Sequence, residues 1–193
     1  MTLDILRYPT AAPMRLAPVE LRYAPLFCFA LLTAACAFAS FIFACATPFA
    51  AFAVVAAAML PLGPALLVVG AAWLVNQAIG FGCLGYPVDT HTILWGFAIG
   101  AAALVATATS TFLLRSLRQT GSPLALGFAL IGAYAAYELV LFAATPILGG
   151  AGAFTLTIVG RLGVLSLLWL IGLVAACEVF RLLRSIRRRQ MAS

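Results

Sequence analysis

APLFCFALLTAACAFASFIFACATPFAAFAVVAAAML, residues Ala24 to Leu60, is an apolar run of 37 residues without a single charge, and the architecture turns on how it folds. As one helix it would reach ~55 Å at ~1.5 Å per residue, nearly twice the ~30 Å hydrocarbon thickness of a bilayer. Thr47-Pro48 interrupts it near the middle. Proline offers no N–H to the helical ladder, and its ring collides with the carbonyl of the preceding turn. The run therefore reads as two helices, 24–46 and 48–60, hinged at Pro48.

The rest of the chain has the same character. Of its 193 residues 65% are hydrophobic and 8% charged, with a mean hydropathy of +1.16. Too few polar side chains remain to cover a soluble domain, so the fold class is an all-α integral membrane protein. Further runs at 65–82, 91–114, 124–144 and 154–178 bring the reading to six transmembrane helices in a single membrane domain, 1–193. The first run reads as a membrane helix and not as a secretory signal. A polar arm, 1–23, precedes it, and it far exceeds an h-region of ~7–15 residues.

The net charge of +6 comes from eleven Arg and no Lys against five acids. Arg7, Arg15 and Arg22 precede the first run; Arg115 and Arg118 lie between two runs; Arg181, Arg184, Arg187, Arg188 and Arg189 follow the last. Ten of eleven thus flank spans, the distribution of the positive-inside rule. It places both termini in the cytoplasm, with a basic tail, 179–193, against anionic headgroups, and puts the segment from Cys83 to Thr90 outside. Arginines so placed give no reason to expect a nucleic-acid partner. Five cysteines, four of them within spans, do not make a disulfide framework. No phosphate-binding loop is present, so no ATP site is expected.

Polar chemistry gathers in NQAIGFGCLGYPVDTHTILW, Asn76 to Trp95. Cys83, flanked by glycines, reads either as an accessible thiolate, a soft metal ligand and nucleophile, or as one more small apolar residue, the reading given to Cys28, Cys36, Cys45 and Cys177. His91 with Cys83 supplies two of the four ligands of a zinc site, which is not a site; it reads equally as a polar residue at a helix entrance. Asp89 or Thr90 fits a helix cap. Asn76 and Gln77 fit a polar ligand or a tie between helices, and Trp73 and Trp95 an interfacial belt or a binding wall. Arg161, about eight residues into the last span, is the arginine that topology does not explain. An intramembrane charge faces a cavity or a partner, and Glu138, midway along the fifth span, is its natural counter-charge. Ala30 with Ala34, and Ala35 with Ala39, form small-residue strips suited to close helix approach.

With six spans, the external loop and NQAIGFGCLGYP, the chain resembles the BtuM family of bacterial vitamin B12 transporters, solitary relatives of the substrate-binding S-components of energy-coupling-factor (ECF) transporters. The resemblance covers the whole chain and rests above all on Asn76-Gln77, Gly80-Phe81, Cys83 and Gly85-Tyr86-Pro87. It implies an ECF S-component-like bundle in the bacterial cytoplasmic (inner) membrane, cobalamin as the transported ligand, and Cys83 as axial thiolate on cobalt. Cysteine-assisted decyanation of cyanocobalamin would be an ancillary activity. Fit to a corrin then places Tyr86 and Trp95 against the ring and Asn76, Gln77, Asp89, His91 and Arg161 about its polar groups, while Ala30 and Ala34 would touch an ECF energising module. The alternatives are a redox or haem-binding subunit using Cys83 and His91, and a structural membrane protein without a ligand. Haem is not expected, because haem spans usually present histidines on helices and this chain has one histidine.

Overall fold

A computed structural model describes residues 16–43 and 47–192. These form six α-helices, α1 (Ala24–Phe43), α2 (Phe49–Met59), α3 (Leu62–Gly82), α4 (Thr90–Ser116), α5 (Ser122–Leu148) and α6 (Leu156–Ala192). Single 3-10 turns stand at Leu21–Tyr23 and Ala151–Ala153, and no strand occurs among the described residues. Five of the helices, all but α2, are long and apolar enough to cross a membrane. The chain is an all-α membrane protein.

The long apolar run divides at its proline, but unequally. α1 has 20 residues and α2 only 11, which is ~30 Å against ~16 Å, about half a bilayer core. The span expected at 48–60 is therefore a half-length helix, and the five long helices surround it. Ten of its eleven residues are buried, and it packs on α1, α3, α4, α5 and α6. An apolar residue on every side permits that enclosure, and the alanines of FAAFAVVAAAM are small enough for close packing between helices.

Hydrogen bonds fix the level at which α2 begins. Cys36 Sγ donates to Ala72 O at 3.2 Å and Asn76 Nδ2 to Ser40 Oγ at 2.9 Å, both with an offset of 36 residues, so α1 and α3 run parallel. Asn76 Nδ2 also donates to Thr47 Oγ1 at 2.9 Å, which sets the start of α2 level with Asn76. Its far end meets the chain entrance, where Leu16 N–H donates to Ala58 O at 3.2 Å. Consequently α2 fills one half of the bundle's length and leaves the interior of the other half to side chains from α4, α5 and α6. The filled end carries Arg22, Arg115, Arg118 and the basic end of α6, with Arg184 and Glu20 paired at 2.6 Å. The open end is where α3 stops, α4 begins and α5 stops.

Several boundaries depart from the sequence reading. α5 continues past 144 through Thr145-Pro146 to Leu148. Pro146 deprives the Phe142 carbonyl of its helical donor, and the Thr145 hydroxyl donates to that carbonyl instead, at 2.8 Å. α6 does not end at 178 but carries the basic tail as helix to Ala192, with Arg181 and Glu178 paired at 2.5 Å on its exposed side. On α1 one stripe, Ala24, Cys28, Leu32, Cys36 and Ala39, is buried. Ala30 and Ala34 lie on the exposed face. Arg7, Arg15, Cys45 and most of the arm 1–23 lie outside the described residues.

Candidate functional site

The loop after α3 is shaped by its own backbone. Cys83 and Leu84 N–H both donate to Ile79 O, at 2.8 and 2.9 Å, and Tyr86 N–H donates to Gly80 O at 3.0 Å. Gly85 at φ +67° supplies the left-handed residue that reverses the chain. The reversal lays the Tyr86 ring on Gly80, where a Cβ would stand 2.7 Å from two ring carbons, and edge-on to Phe81 at 6.2 Å. Tyr86 is thereby engaged in the loop's own packing. Cys83 is left outside: it is exposed, while Cys28, Cys36 and Cys177 are buried.

Asp89 and His91 fasten the start of α4. Asp89 Oδ1 accepts from Thr92 N–H at 2.8 Å and Oδ2 from the Thr92 hydroxyl at 3.1 Å, an N-cap. The Thr92 backbone N–H, with its hydroxyl and His91 adding to the effect, holds the Asp89 carboxyl below the usual carboxylate range. His91 Nε2 lies 2.7 Å from Leu148 O. A carbonyl only accepts, so Nε2 carries the proton and Nδ1 is the ring nitrogen left to bind anything else. No three His, Cys, Asp or Glu side chains gather into a metal-holding group among the described residues.

Asn76 is fully committed to the bundle. Its two amide N–H groups go to Ser40 and Thr47, and its Oδ1 accepts from Gln77 Nε2 at 3.2 Å. Ser40 in turn donates to Cys36 O at 2.8 Å. Of the two readings open for the amides, the structure displays the tie between helices for Asn76, while Gln77 bonds to Asn76 itself. Trp73 is likewise a packing residue: its Nε1 donates to Gly96 O at 2.9 Å, and a Cβ at Gly100 would come within 2.7 Å of its indole.

The open half of the bundle encloses a cavity of about 310 Å³. Its floor is the start of α2 at Thr47, Pro48 and Phe49. Its walls include Trp95 from α4, Tyr134, Tyr137 and Glu138 from α5, and Leu162 and Ser166 from α6, with Gly150 and Phe154 of the α5–α6 loop at the rim. Of the residues expected at the site, Trp95 alone lines it. Cys83, Tyr86 and Asp89 in the neighbouring loop, and His91 in the first turn of α4, belong to the same end of the bundle but lie outside the lining. Arg161 stands exposed on α6, and no ion pair joins it to Glu138 among the described residues.

No protein-family model, curated protein or solved structure matches this chain. The fold and the site therefore stand on their own geometry.

Sequence reasoning missed Tyr134 and Tyr137, and it gave Glu138 the wrong neighbour. The signal was available in Tyr134-Ala-Ala-Tyr137-Glu138. Residues three and four apart share a helix face, so two phenols and a carboxyl within one turn of an otherwise apolar span mark the face that looks inward.

Proposed function

We propose that the chain takes up cobalamin or a related corrinoid across the bacterial cytoplasmic membrane, as an ECF S-component-like bundle with both termini cytoplasmic and Cys83 as axial ligand to cobalt. The observation that carries the reading is the exposed Cys83 on a backbone-locked turn, while the other described cysteines are buried. An axial ligand must reach the metal from one face of a flat macrocycle, and a thiol on a rim meets that demand as a thiol inside a helix bundle does not. Orientation follows from charge: Arg22, Arg115, Arg118 and the basic end of α6 share the end opposite Cys83, which belongs inside. In this topology α1 crosses outward and the half-length α2 leads the chain back, so α2 counts as the sixth span.

A cavity of about 310 Å³ is at the small end of ligand pockets, ~300–1,000 Å³, and is less than a whole corrinoid requires. The ring would lie across the mouth beside Cys83, with Trp95 below it. α6 packs on α2 more than on α5 and is the wall that would yield to admit more. Thiolate attack on bound cyanocobalamin would form a Co–S bond and break the Co–C bond to cyanide. Cyanide leaves with its electron pair and is protonated, and cobalt remains Co(III), so no reductant is required. The exposed Ala30 and Ala34 face would meet an energising module. Titrating the purified protein and Cys83→Ala with cyanocobalamin and cobinamide, followed in the visible corrin bands, tests the reading. A band shift in the parent alone supports it, and no binding by either protein overturns it.

A further inference from the structure

The cavity floored by α2 has a chemistry of its own. Among the described residues, Glu138 is the one ionisable acid or base in its lining apart from the phenols of Tyr134 and Tyr137, with no arginine or histidine. Trp95, Tyr134, Tyr137, Phe49 and Phe154 line the same cavity as Glu138, with the Phe49 and Tyr137 rings near parallel at 6.5 Å and 29°. The Tyr134 hydroxyl lies 2.6 Å from Val159 O and donates there, fastening α5 to α6, with the Glu138 carboxyl, one turn on, as its other neighbour. Elsewhere the lining is Leu, Ile, Ala, Pro and Gly150, with Thr47 and Ser166 as the aliphatic hydroxyls.

A carboxylate in a membrane interior is costly without a counter-charge, and Glu138 has no ion-pair partner among the described residues. The start of α2 adds a partial positive charge of roughly half an elementary unit at the floor, which leaves the chamber net negative when Glu138 is ionised. Aromatic faces present negative quadrupole charge to a cation. Acid, rings and apolar walls together form a cage for a positively charged centre with a hydrocarbon shell.

We propose that this cavity binds a small organic cation, a substituted ammonium, with Glu138 as counter-ion and Trp95, Tyr134 and Tyr137 as the aromatic wall. The volume suits a compact molecule, because about 310 Å³ lies at the lower bound for ligand pockets. The inference does not rest on Cys83, which lies outside the lining, although the cavity mouth and Trp95 are shared with the corrinoid reading. Cation binding is read through Glu138 and cobalt ligation through Cys83, so the failure of one is distinguishable from the failure of the other.

The test is calorimetry on the full chain in nanodiscs with choline and benzyltrimethylammonium, each against its uncharged carbon isostere, 3,3-dimethylbutan-1-ol for choline. The cations should bind with Kd below about 1 mM and at least about tenfold more tightly than the isosteres, the scale of a desolvated cation–aromatic contact. Glu138→Gln should lower that preference at least about threefold, the aromatic share remaining, while leaving isostere binding within about twofold, and Cys83→Ser should change neither. Equal affinity for cation and isostere in the parent would overturn the proposal without reliance on any variant. So would the absence of saturable cation binding, or a Glu138→Gln protein that keeps the full preference.

Discussion

Asn76→Ala should loosen the floor of the cavity, and the size of the effect can be worked out from its contacts. Among the described residues, Asn76 is the side chain that bonds both α1, at Ser40, and the entrance to α2, at Thr47, each at 2.9 Å. Interhelical hydrogen bonds in membranes average ~0.6 kcal/mol and reach ~1.7 kcal/mol, so losing two predicts a destabilisation of about 1.2 kcal/mol, at most about 3.4 kcal/mol. The assay is reversible unfolding in mixed detergent micelles, with Leu74→Ala as control because Leu74 is 58% exposed on the same helix. A double-mutant cycle of Asn76→Ala with Thr47→Ala should return a coupling of about 0.6 kcal/mol. The reasoning is refuted if the cycle closes with no coupling, or if Asn76→Ala unfolds no more easily than the control. Either result would mean that Thr47 is not held at this level and that α2 does not begin there.

Two further outcomes follow from the loop. The Asp89 carboxyl is held below its ordinary range by Thr92, so the cap is complete above the unfolded carboxylate pKa and is lost as pH falls through the lower folded value. Amide exchange at Thr92 and Ile93 should therefore quicken only in acid, whereas Asp89→Asn, which keeps an accepting oxygen, should stay protected without that acid step; a step retained in Asp89→Asn would assign it to another group. In whole cells a membrane-impermeant maleimide added from outside should label Cys83 and spare Cys28, Cys36 and Cys177, which are buried; labelling that needs permeabilised cells would reverse the orientation.

Much of the architecture could be read from composition and from one proline. Pro48 announced two helices in the apolar run, and the arginines marked one end of the bundle. What the run could not disclose was that α2 is short and central, because FAAFAVVAAAM is apolar on every side and hydropathy alone does not separate a lipid-facing helix from one enclosed by other helices. Local hydrogen bonding explains the misplaced end of α5: Thr145 replaces the bond that Pro146 removes, a substitution a residue-by-residue count of helix breakers does not see. The pairing of Arg161 with Glu138 failed on rotational phase. Glu138 turns inward with Tyr134, one helical turn before it, while Arg161 falls on the exposed side of α6. For the loop, the glycines around Cys83 signalled an open thiol and the structure exposes it, but the same reading put Asn76 at the ligand, where its amide is spent on Ser40, Thr47 and Gln77.

The central claim is that Cys83 meets the cobalt of a bound corrinoid, and X-ray absorption at the cobalt edge examines that bond itself. Protein loaded with cobinamide should show one sulfur in the cobalt coordination shell, absent in Cys83→Ser. A shell of nitrogen and oxygen alone in the parent, with corrinoid bound, would contradict the account.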